Sequence, residues 1–65
     1  MTAFSKTQLA QTLYQKGITV FEYEPDKASF ILENEYPNSG ISDSFNEMAF
    51  DIFLELMKIE MNKND

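Results

Sequence analysis

The side chains in this sequence best suited to chemistry are carboxylates. Glu22, Glu24 and Asp26 stand at alternate positions, and Glu33 and Glu35 repeat that spacing a few residues later. Carboxylates at such spacing have three uses. A pair can divide the roles of acid and base. A group can hold a hard cation such as Ca²⁺ or Mg²⁺. A row on a rigid scaffold can present a field like that of a phosphate chain and steer a basic partner toward it. A plainer use is a solvated sheet edge whose charges discourage aggregation.

Acid–base work needs a cleft that separates two pKa values, and 65 residues offer little scaffold for one. The chain has no His to move protons near neutral pH and no Cys nucleophile. No Ser lies in a nucleophile elbow, and the two glycines, Gly17 and Gly40, form no phosphate loop. The spacing and glycine of an EF-hand are also missing. The sequence therefore predicts no catalytic residues, no metal and no cofactor. It leaves Glu22, Glu24, Asp26, Glu33 and Glu35 as a candidate acidic surface for a partner.

The charge balance narrows that partner. Eleven acidic residues face five basic ones, a net charge of −6, and every basic residue is Lys. Direct binding to nucleic acid draws on a basic patch and often on Arg forks, so an acidic chain without Arg is a poor candidate. Anionic membranes repel it as well. A protein with a basic surface is the favoured partner. No apolar run approaches the roughly 20 residues of a spanning helix, and Phe4 is followed at once by polar residues, so neither a membrane span nor a signal peptide is expected. With no Cys to oxidise, the expected location is cytoplasmic.

The elements that must carry these residues read as follows. Ser5 and Gln8 form a capping-box pattern, and Phe4 and Leu9 stand at the positions of a hydrophobic staple, opening a helix over 6–16. Leu9, Ala10, Leu13 and Tyr14 make its buried stripe, and Gly17 stops it. Ile18–Glu24 and Ser29–Glu33 alternate like strands, and Glu24-Pro25-Asp26-Lys27 suits the turn of a hairpin between them. Residues 34–43 read as a loop around Pro37-Asn38-Ser39-Gly40. Ser44 and Glu47 form a second capping box at the head of a long helix, and 62–65 reads as a frayed polar tail. The predicted fold is a single α+β domain over 1–65, in the order helix, β-hairpin, helix (α-β-β-α).

The long helix carries more apolar surface than a surface helix needs. Phe45, Met48, Ala49, Ile52, Leu56 and Ile59 form one stripe. Phe50, Leu54, Met57 and Met61 form a second, with Phe53 between them. Together they cover roughly 240° of the helix circumference, where an arc of about 100° suffices to face a core. The second stripe is either core, or a surface for self-association or a partner. A chain this short with no disulfide or zinc ligand set has self-association left as its stabilising device. A two-fold homodimer is accordingly expected.

Two functions follow from these surfaces. The first is a non-catalytic protein-binding module of the small acidic inhibitor type found in phages and mobile elements, acting by nucleic-acid mimicry. The second is an assembly protein that joins a larger complex through its C-terminal helix. A carboxylate metal-binding module is a more distant third.

Overall fold

The computed structural model describes residues 4–63. Among them the chain forms three α-helices, α1 (Lys6–Gln15), α2 (Pro25–Glu35) and α3 (Ile41–Lys63), and no strand. The expected α+β fold with its hairpin is therefore corrected to an all-helical one.

α1 forms as its caps dictate. Gln8 N–H donates to Ser5 Oγ at 3.0 Å, satisfying one of the orphan donors of the first turn. Leu9, Ala10 and Leu13 are buried. At the far end Gly17 takes φ +93°, the left-handed conformation that glycine adopts without a Cβ clash. Gly17 N–H then donates to the Tyr14 carbonyl at 3.0 Å, and Ile18 N–H to the Leu13 carbonyl at 2.9 Å. This pair of bonds is the Schellman arrangement, and it turns Ile18 back into the core.

The segment expected to be the first strand runs as a short connector instead. Thr19 is extended, Val20–Glu22 makes one 3₁₀ turn, and Tyr23 is extended again. Its β-branched and aromatic residues suit a pleated surface, but among the described residues there is no second strand to complete a ladder. The intended partner, Ser29–Glu33, lies inside α2. Pro25, expected at the second position of a turn, occupies the first turn of this helix; the same fixed φ serves both. Asp26 sits in that first turn, where a negative charge suits the helix dipole. Ala28, Ile31, Leu32 and Tyr36 recur at helical spacing, and all four face the core region, with Ala28 and Leu32 fully buried. The three-residue apolar run Phe30-Ile31-Leu32 fits both periodicities, and here tertiary burial selects the helix.

The expected long loop is also shorter. Tyr36 N–H donates to the Leu32 carbonyl at 2.8 Å, and Asn38 (φ 61°) and Gly40 (φ 70°) both turn through left-handed conformations. α3 begins at Ile41, ahead of the expected Ser44 cap, and Ser44 and Glu47 lie within it. Starting there places Ile41, which is fully buried, on the same stripe as Phe45 and Ile52. Burial of that side chain outweighs the gain from a Ser44 cap. α3 runs on through Lys63, so Asn62 and Lys63, expected in the tail, are helical; residues 64 and 65 lie outside the described residues.

α1 and α2 pack against α3 and against each other, and the 3₁₀ turn leans on α3 as well. The core joins Leu9, Leu13, Leu32, Ile41, Phe45, Ile52 and Leu56 from the three helices. Polar and aromatic contacts hold the helix ends together. Phe4 and Tyr36 pair at 5.1 Å between ring centroids, Thr12 Oγ1 and Tyr36 Oη are 2.9 Å apart, and Lys16 meets Glu35 at 3.3 Å. The 37 Å long axis of the molecule matches the roughly 35 Å that α3 alone spans.

Candidate docking face on α3

α3 is longer than the two helices that pack on it, and they cover one side of it. On that side lie the buried Ile41, Phe45, Ile52 and Leu56. Opposite lies a stripe at the same helical spacing: Asp43, Glu47, Phe50, Leu54, Met57 and Met61. The first two are exposed carboxylates. The four apolar members are exposed as well: Phe50 71 %, Met61 69 %, Met57 39 % and Leu54 38 %. The apolar part of the stripe runs about 16 Å along the helix axis.

The 3₁₀ turn widens this face. Val20 packs inward against the core while Phe21, the next residue, is 85 % exposed. Val20 and Phe21, together with Phe53, Met57, Glu60 and Met61 of α3, line a groove of about 380 Å³. Phe53 floors it from a half-buried position, stacked on Phe50 at 6.4 Å and beside Tyr23 at 6.0 Å. Tyr23 fixes the connector to α3: its hydroxyl donates to the Ala49 carbonyl at 2.7 Å, and burial pushes its pKa up to about 12. Phe21 was not among the residues the sequence pointed to. In an alternating strand it shares a face with Thr19 and Tyr23, and only the 3₁₀ turn separates it from them.

The groove holds one charge, Glu60. Its Oε1 is buried and has no hydrogen-bond partner among the described residues. Lys63, three residues further along α3, lies over the Tyr14 ring at 5.4 Å from the centroid. Tyr14 chiefly, and Glu60 after it, raise the Lys63 pKa. Farther round the helix, Glu55 is nearly buried and fully engaged. It accepts from Thr7 Oγ1 and from Lys58 Nζ, each at 3.3 Å, the latter an i, i+3 pair along the helix.

The five carboxylates of the expected acidic surface are all exposed, and no hairpin aligns them. Glu22 lies in the 3₁₀ turn, Glu24 stands at the N-cap position of α2 with no capping bond from its side chain, and Asp26 is in the first turn. Glu33 and Glu35 are in its last turn, where Glu33 accepts from the Ser42 hydroxyl at 2.6 Å and Glu35 meets Lys16. Asp26 and Glu33 share a side of α2 about 10 Å apart along its axis. The structure thus brings together Glu22, Glu24 and Asp26 along one short stretch of chain, and sets Glu33 and Glu35 at the other end of the helix. Among the described residues no group of three or more His, Cys, Asp or Glu is placed to hold a metal ion, and no helix is long and apolar enough to cross a membrane.

Comparison of the chain with protein-family models, with curated proteins and with solved structures gave no match.

Proposed function

We propose that this protein is a non-catalytic binding module that joins another protein through the outer face of α3. One observation carries this reading. Phe50, Leu54, Met57 and Met61 stand exposed in a continuous stripe beside a groove, on a helix whose other side already fills the core. A contiguous exposed apolar patch marks interaction sites on small proteins. Its residue types, Phe and Met, are those that anchor and adapt at interfaces. A second copy of the chain, in a two-fold dimer, is one occupant that this face allows. We take the module to work in the cytoplasm, in keeping with a chain that contains no cysteine.

The test is retention of a native-host partner by the wild type and by the Phe50→Glu/Leu54→Glu double variant, with sedimentation of each alone. Both substitutions lie at exposed positions, so the fold is expected to survive them. The reading predicts that the partner, or the dimer, is lost from the double variant. Equal retention by the two proteins contradicts it.

A second reading has its own support. Glu22, Glu24 and Asp26 are exposed within five residues of one another, and among the described residues no lysine pairs with them. Nucleic-acid mimicry through these carboxylates predicts a steep loss of binding with salt and with their change to amides. Docking through α3 predicts that binding survives the change of Glu22, Glu24 and Asp26 to amides.

A further inference from the structure

The groove beside Phe21 is apolar on every wall but one, and the exception is Glu60. Glu60 Oε1 is buried and accepts no hydrogen bond among the described residues. As the one carboxylate lining the groove, Glu60 is the group there that a cationic donor from a partner can meet. Of the lysines on α3, Lys58 pairs with Glu55, and Lys63 lies over the Tyr14 ring, within the field of Glu60 but without a hydrogen bond to it.

Resting on the reading of the outer α3 face as a docking surface, we infer that its occupant is a cationic amphipathic helix of a partner protein. The apolar side of that helix lies along Phe50, Leu54, Met57 and Met61, and a Lys or Arg beside it reaches Glu60. Charge complementarity selects this occupant over a second copy. The same outer stripe begins with the exposed Asp43 and Glu47, and the whole chain carries −6. A second copy brings the same negative charge, and the lysines of its own α3 are already engaged. The apolar stretch of about 16 Å suits about three turns of helix, the length over which anchors at i, i+3, i+4 and i+7 seat in a groove.

The probe is a pair of 14-residue helical peptides with leucine at those anchor positions. One carries lysine on its polar side and the other glutamine. Each is titrated into the full-length protein and followed by amide and methyl NMR. The lysine peptide is expected to bind with shifts centred on Val20, Phe21, Met57 and Met61, and at least tenfold more tightly than the glutamine peptide. Glu60→Gln is expected to remove roughly tenfold of the lysine peptide's affinity, the scale of one charged hydrogen bond. Glu24→Gln, away from the groove, should change it less than twofold. Circular dichroism confirms that both variants keep their helices.

Equal binding of the two peptides in the groove overturns the cationic occupant while leaving the docking face standing. Binding that survives Glu60→Gln but falls with Glu24→Gln overturns it in favour of the acidic surface on α2. A wild-type dimer that buries Met57 and Met61 overturns it in favour of a second copy. Failure of the lysine peptide to shift the groove overturns the inference as well. The partner-retention experiment with Phe50→Glu/Leu54→Glu then decides the docking face separately.

Discussion

Tyr23 is the residue on which the connector between α1 and α2 depends. Its hydroxyl reaches the Ala49 carbonyl, and its ring stands between Phe45 and Phe53. Tyr23→Phe keeps the ring and removes the hydrogen bond, so urea titration should show a loss of about 1 kcal/mol. The pH dependence follows from burial, which favours the neutral phenol and pushes its pKa from 10.0 to about 12. The contribution of a raised pKa is intact below the unfolded value and disappears as pH climbs through the folded one. The stability difference between wild type and Tyr23→Phe should therefore be constant from pH 7 to about 9 and should shrink between about pH 10 and 12. A difference that holds constant across that range refutes the burial of this hydroxyl. Gly17 gives a second test at this scale. A Cβ there meets nothing within 4 Å, so the cost of Gly17→Ala is that of the left-handed backbone alone, about 1–2 kcal/mol by thermal or urea unfolding.

At the scale of elements, α2 decides between the two readings of the middle of the chain. A strand over Ser29–Glu33 puts Phe30 and Leu32 on one face, and their truncation would then cost similar amounts. In the helix Leu32 is fully buried and Phe30 is largely exposed. Leu32→Ala should cost about 2–5 kcal/mol and Phe30→Ala about 0.5 kcal/mol or less, measured by denaturant unfolding. Local chemistry was legible where a motif has one meaning. The Ser5–Gln8 cap and the Gly17 stop both follow from spacing, and both are present. The middle of the chain was not legible because its signals have two meanings. Pro25 opens a turn or a helix with the same φ, and Ser29–Glu33 is too short for period 2 to exclude period 3.6. The start of α3 was misread for a related reason: the Ser44–Glu47 pattern is a valid cap, but Ile41 gains more by being buried in the helix than the cap supplies.

At the scale of the whole molecule, the two apolar stripes of α3 have different fates. The long uninterrupted period made both stripes visible in sequence, and the sequence alone left open which way the second one faces. The answer depends on how much of α3 the rest of the chain can cover, and that is set by the lengths of α1 and α2, 10 and 11 residues against 23. The carboxylates show the converse. Their exposure was readable from their types, but their alignment depended on a hairpin that does not form.

The central claim is that the stripe from Phe50 to Met61 is a surface for another protein and not part of the core. Leu54→Glu tests it most directly, because a charge is tolerated on a surface and ruinous in a core. Thermal melting of this variant is measured beside its retention of the native partner. The account predicts a melting temperature within a few degrees of wild type and a partner that is lost. A variant that unfolds, or one that melts normally and keeps its partner, contradicts it.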